Sequence, residues 1–318
     1  MAATERPDAE ARRAALLRCL GGPWPAGGPL EMEEQGSEAC DGYTLRRVSY
    51  LAEPDERVPA YLLTPDAATP EAPAPAVAVW HQHNGQYELG GSEPAGLSGD
   101  PMHHTGAALA RLGYVVLCPD ALCFGERRDD GLHGGDFERF EFLRYVVRGK
   151  SLAWKSILDM RRAVDLLCGL PEVDAARLGC YGHSMGSTHT WLVGPWEPRL
   201  KCLVGNCCLP TYAAIERTHL LHCFPNFVPG WMEHGDTPEI AALTAPRALH
   251  LNFGTDDSGS PIPEVREAVE AIAARYAEAG APDAFTWYVE EGAGHVLSEE
   301  MWRRARLCFA HHLGGRAE

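Results

Sequence analysis

Six short, nearly continuous apolar runs set the tightest limit on the fold of this chain. They lie at residues 76–80, 114–118, 178–181, 200–204, 248–253 and 285–289. Runs of this length without alternation suit strands buried on both faces, as in a parallel sheet. Helix-like stretches lie between them, at 102–112, 151–170, 184–193, 263–279 and 299–313. Strand alternating with helix predicts an α/β fold, a mostly parallel sheet with helices on both faces. Residues 44–51 and 58–63 read as two more strands, joined by the turn Glu53-Pro54-Asp55-Glu56, and extend the sheet as an antiparallel edge. Residues 8–20 read as a surface helix ended by Gly21-Gly22-Pro23. The expected organisation is a helical extension over 1–43 and one α/β domain over 44–318. Within that domain, 121–150 and 206–243 are too long to be plain connections. Both should leave the carboxyl edge of the sheet, where open α/β folds bind ligands, and they read as cap-like excursions over a site.

Composition narrows the partners. A chain of 318 residues buries enough surface to need no disulfide or metal staple. The net charge of −16 argues against nucleic acid or an anionic membrane surface, both of which demand a basic face. No run of 18 apolar residues occurs, so no membrane span is expected. Residues 1–13 are charged and lack the apolar stretch of a secretory signal. The 11 cysteines are odd in number and irregularly spaced, which fits a reduced, cytoplasmic set of buried thiols. High Ala, Gly, Pro and Arg usage hints at a bacterial source. Oligomeric state is open, with a homodimer allowed.

The chemistry centres on Gly182-His183-Ser184-Met185-Gly186, a G-x-S-x-G pattern between an expected strand and an expected helix. A serine on such a turn is held in strained backbone geometry, and the small glycines make room for it. Its hydroxyl stands at a helix N-terminus, where backbone dipoles favour a developing oxyanion. Serine alone is a poor nucleophile and needs a base and an orienting acid. Asp256 and Asp257 follow one buried run, and His295 follows the last one in a Gly-rich turn. The chain order Ser, Asp, His is the order of this fold. His234 and Asp236 lie before the last strands and are less well placed; His311 and His312 end the terminal helix and read as solvated. The oxyanion donors expected are the backbone N–H groups of Met185 and His83. The pair His81 and His83 could also suit zinc, but no further ligand follows at a suitable spacing. The reading is that neither a metal nor a cofactor is used.

These residues resemble the α/β-hydrolase superfamily, in its dienelactone-hydrolase-like and acetyl-xylan-esterase-like branch. Phe124-Gly125-Glu126-Arg127, Pro171-Glu172-Val173-Asp174 and Ala245-Pro246-Arg247 are similar to stretches of that branch, and the likeness runs from Ala76 to the C-terminus. Asp257, three residues after Gly254 and four before Pro261, has the spacing of the acid loop in such enzymes. Gln82 departs from the glycine that many relatives carry after the histidine, and Ser184 from the cysteine of true dienelactone hydrolases. The resemblance implies an esterase with the triad Ser184, Asp257 and His295, acting on a small-molecule ester or lactone. Alternatives on the same triad are an amidase, a peptidase or an acyltransferase, and a non-catalytic binding protein on the same fold. Trp80, Gln82, Glu126, Arg127, Cys207 and Trp231 are the expected substrate contacts.

Overall fold

A computed structural model describes residues 9–317; residues 1–8 and Glu318, and so most of the charged chain start, lie outside them. Nine strands form one sheet: β1 (Glu33–Cys40), β2 (Tyr43–Glu53), β3 (Glu56–Pro65), β4 (Ala74–Trp80), β5 (Val115–Pro119), β6 (Val173–His183), β7 (Leu200–Asn206), β8 (Ala248–Gly254) and β9 (Phe285–Glu290). Their order is β1-β2-β3-β5-β4-β6-β7-β8-β9. β1, β2 and β3 pair antiparallel, and β3 joins β5 in the same sense. From β5 onward every pairing is parallel. This is the α/β-hydrolase architecture.

The helices are α1 (Ala9–Leu20), α2 (Thr105–Arg111), α3 (Gly135–Val147), α4 (Leu152–Gly169), α5 (Met185–Val193), α6 (Tyr212–Thr218), α7 (Thr237–Ala241), α8 (Ile262–Glu278) and α9 (Glu299–Leu313). α4 shows why such stretches become helices here. Ile157, Met160, Ala163, Val164 and Leu167 recur on one face and are all buried, the spacing of an amphipathic helix. Ser151 caps it, accepting the Trp154 N–H at 3.1 Å. Two apolar layers flank the sheet. One holds α4, α5 and α8 with Trp154, Trp191 and Phe253; the other holds α2 and α9 with Leu109, Met301 and Phe309. No helix among the described residues is long and apolar enough to cross a membrane.

The extension before residue 44 holds more than a helix. β1 was not expected, because its sequence, EEQGSEAC, is exposed and carries no apolar alternation. It forms through its ladder with β2, not through burial. The helix α1 docks by Leu16 and Leu20, and its end accepts the Ser151 N–H at 2.8 Å.

Register places the site. Trp80 pairs with Gly182, His183 with Asn206, and Asn206 with Asn252, so β4, β6, β7 and β8 end in one row. Backbone bonds continue beyond it. Ser184 N–H donates to Asn206 O and Cys207 N–H to Asn252 O, both at 2.9 Å, and Asp256 N–H to Ala293 O at 2.9 Å. The loops after β6, β7, β8 and β9 therefore converge.

Candidate active site

Ser184 sits where β6 turns into α5, with φ 58° and ψ −119°. A non-glycine residue in this region is strained, and it stays there only because its surroundings impose it. The two flanking glycines are part of that constraint. A Cβ on Gly182 would stand 2.0 Å from Gly186 O, and one on Gly186 would stand 2.1 Å from Trp80 O. The start of α5 thus lies directly against the end of β4.

Three side chains form a hydrogen-bonded chain. Asp257 is buried, with 1% of its side chain exposed, and a carboxylate there can only accept. Its Oδ1 accepts the Gly259 N–H at 2.8 Å, and its Oδ2 accepts Nδ1–H of His295 at 2.9 Å. That fixes the tautomer: Nε2 of His295 is an acceptor, and the Ser184 hydroxyl donates to it at 2.8 Å. The His295 side chain is 39% exposed, so part of the ring is open to solvent. Asp256 bonds neither His295 nor Gly259; among the described residues its carboxylate accepts only from the Thr255 hydroxyl.

Among the described residues, neither the Met185 nor the His83 backbone N–H donates to a protein acceptor. Met185 opens α5, so its N–H has no intrahelical partner. His83 lies in the loop leaving β4, which runs beside α5. A partly buried network holds that loop. Gly85 N–H donates to His83 Nδ1 at 2.9 Å, which leaves Nε2–H to donate to Glu138 Oε2 at 2.9 Å. The Tyr87 hydroxyl donates to the same oxygen at 2.9 Å. Glu138 belongs to α3, in the excursion after β5, and had no signal in the sequence because its partners lie more than 50 residues away. Asp120 adds a second pin, accepting Gly91 N–H at 2.7 Å and Glu126 N–H at 2.8 Å. Burial pushes its carboxyl up to about 6.

The two excursions flank this centre and touch one another. Phe142 of α3 stacks on Phe224 with ring centroids 4.9 Å apart. His222 Nε2–H donates to Gly259 O at 2.6 Å, tying the second excursion to the loop of Asp257. Cys123, Phe124 and Met185 form a small apolar cluster, with Tyr87, Leu122 and Cys223 at its edge. Three imidazoles lie in a row of tilted contacts, His103 against His183 with ring centroids 4.6 Å apart and His183 against His295 at 5.1 Å. Burial holds His183 well below the usual histidine range, so it stays neutral.

Several expected substrate contacts are committed elsewhere. Arg127 has 5% of its side chain exposed; it bonds Glu56, Asp159 Oδ2 at 2.8 Å and Asp120 O at 3.1 Å. A buried guanidinium requires such partners, and Lys155 completes the cluster on Glu53, Glu56 and Asp159. Glu126 faces outward and pairs with Arg47 at 2.9 Å. Trp231 is fully buried, and its indole N–H donates to Leu16 O at 3.3 Å, so it anchors α1. Trp80 is buried in the layer beneath the site. The Gln82 amide donates to both oxygens of Glu93, at 3.1 and 3.0 Å. Cys207 lies behind Asp257, its thiol donating to Val296 O at 3.1 Å. His81 and His83 do not converge: His81 Nδ1–H donates to Gln82 O at 2.7 Å, and its Nε2 accepts the Ala121 N–H at 3.1 Å.

No protein-family model matches the chain. It is 31% identical over 290 residues to the Bacillus subtilis (strain 168) protein named "Putative hydrolase YtaP", across 89% of this chain and 93% of that one. Its fold is similar to a glucuronoyl esterase from Solibacter usitatus, with TM-score 0.68 and 17% identity over 96% of this chain and 91% of that one. It is also similar to acetyl xylan esterase 1 from Thermoanaerobacterium sp. JW/SL YS485, with TM-score 0.63 and 15% identity over 96% and 94% of the two chains. At these identities the solved structures speak for the fold.

Proposed function

Because this chain belongs to the α/β-hydrolase family that includes the Bacillus subtilis protein YtaP, we propose that it is a serine hydrolase cleaving a carboxylic ester, or a lactone, of a small molecule. The observation that carries this reading is the unbroken chain from Ser184 through His295 to Asp257. The two structural neighbours named above are both called esterases, which agrees with it.

In this reading His295 Nε2 takes the Ser184 proton as Oγ attacks the ester carbonyl. Asp257 holds the ring in the reactive tautomer and stabilises the imidazolium. The N–H groups of Met185 and His83 receive the oxyanion, aided by the N-terminal dipole of α5. His295 then gives its proton to the leaving alkoxide. Water activated by the same nitrogen releases the acid from the acyl-enzyme. The cluster around Phe124 and Met185 bounds one side of the acyl group. Each step uses groups of the chain itself and needs no cofactor. The 11 unpaired thiols fit a reducing, cytoplasmic setting.

The test is intact mass after treatment with a fluorophosphonate, beside turnover of p-nitrophenyl esters from acetate to octanoate. One adduct, lost in Ser184→Ala, with turnover of at least one ester, is the expected result. Folded protein that takes up no adduct refutes the activated serine.

A further inference from the structure

The proposed mechanism leaves one nearby group unused. The Cys207 thiol lies beside the acid and base, and ligand atoms of Cys207, Asp257 and His295 all fall within 4.8 Å of one another. We propose that these three side chains form an inhibitory zinc(II) site.

The donor set selects the metal. Thiolate, imidazole and carboxylate together suit zinc, whereas magnesium and calcium prefer oxygen alone. Bonds of about 2.0–2.3 Å in a tetrahedron put neighbouring donors roughly 3.2–3.8 Å apart. Asp257 Oδ2 and His295 Nδ1 already stand at 2.9 Å, so a small opening on that side and a small closure toward sulfur suffice.

Three features prepare the sulfur. Cys207 has φ 55°, a left-handed conformation that a non-glycine residue seldom adopts. Its N–H is held on Asn252 O. Its thiol already reaches the His295 loop through Val296 O at 3.1 Å. Of the three ligands, Cys207 and Asp257 are buried and His295 is the exposed member through which the site is reached.

Charge and protons balance. Binding releases one proton to solvent, from the Cys207 thiol, while the His295 ring stays neutral as its proton passes from Nδ1, which takes the metal, to Nε2. The two anionic ligands then neutralise the metal, which suits a buried position. Binding follows from the side-chain geometry alone. That it stops turnover rests on the proposed function: with zinc on Nδ1, Asp257 no longer orients a protonated ring, and His295 cannot become the cation the reaction needs.

The experiment has two independent readouts. Zinc affinity is measured by competition with a chromophoric chelator for wild type, Ser184→Ala, Cys207→Ser and Cys207→Ala. Cobalt(II) is added to wild type to look for thiolate-to-metal charge-transfer absorption. Wild type and Ser184→Ala are expected to bind one zinc each, and both Cys207 variants to bind it more than about tenfold more weakly. Wild type should show the cobalt–thiolate band. Equal affinity in the Cys207 variants, or cobalt bound without that band, overturns the site and assigns the metal to surface imidazoles such as His311 and His312. Ester turnover is followed separately with zinc and then with excess chelator. Zinc should inhibit wild type reversibly, and Cys207→Ser should need more than about tenfold more zinc for the same loss. A cobalt–thiolate band on a protein without ester turnover would keep the site and refute the esterase reading. Turnover unaffected by zinc that is bound through Cys207 would refute the inhibitory role.

Discussion

Replacing Asp257 by Asn tests how the acid works, because the structure dictates the orientation of the new amide. Gly259 N–H points at Oδ1 from 2.8 Å and needs an acceptor. The Asn carbonyl must therefore take that place, since an NH2 group there would set donor against donor. The NH2 group then faces His295 Nδ1, where a donor is accepted only if Nδ1 carries no proton. The ring is driven to the Nε2–H tautomer, which cannot take the proton of Ser184. Loss of the carboxylate charge removes the support of the imidazolium as well. Both effects act on the transition state, so kcat should fall by about a thousandfold to ten-thousandfold, equivalent to about 4–5.5 kcal/mol, with little change in KM. The fold should hold, because the substitution preserves shape and the Gly259 bond. The assay is steady-state hydrolysis of the best p-nitrophenyl ester by Asp257→Asn and Asp256→Asn, with thermal unfolding of each. Asp256→Asn should stay near wild type. An Asp257→Asn enzyme within about tenfold of wild type in kcat/KM, or a larger loss in Asp256→Asn, refutes the assignment of the acid.

Other perturbations separate positioning from packing. Glu138→Ala removes the acceptor shared by His83 and Tyr87; it should lower kcat about tenfold or more with KM little changed, and an unchanged kcat would show that the oxyanion loop does not depend on α3. Trp231→Ala should cost about 3–5 kcal/mol of stability in urea unfolding, through loss of the contact with α1, and a raised KM without loss of stability would return this residue to the substrate pocket. Stability should fall as pH drops from 6.5 toward 4. Burial lowers His81 and His250 to about 4 and His189 to about 3, so the unfolded chain binds more protons across that window, and each group withdraws up to about 3 kcal/mol on reaching its acid end. Melting temperatures that stay flat from pH 6.5 to 4.5 would contradict this.

Local chemistry and periodicity carried much of the fold in the sequence itself. Continuous apolar runs marked the inner strands, because a strand covered on both faces has no polar side to alternate with. The elbow around Ser184 was legible because only small residues fit at Gly182 and Gly186, where an added Cβ meets backbone oxygen. Chain order and the strands before them singled out His295 and the pair Asp256 and Asp257, and the family resemblance favoured Asp257 within that pair. β1 escaped notice because ladder bonds to β2 form it without burying its side chains. The choice of Asp257 over Asp256 became a matter of geometry once the Gly259 and His295 bonds were seen. Arg127 and Trp231 carried chemistry suited to a binding pocket, yet Asp159 and Leu16, both distant in sequence, claim them for the interior. Glu138 reaches His83 across 55 residues by the docking of α3. Sequence determines what a residue can do locally, since strand, helix and tight turn each impose a spacing or a size. Which partner it meets across the chain is decided by the tertiary packing, because a buried charge or N–H takes whatever complementary group the fold brings within 3 Å.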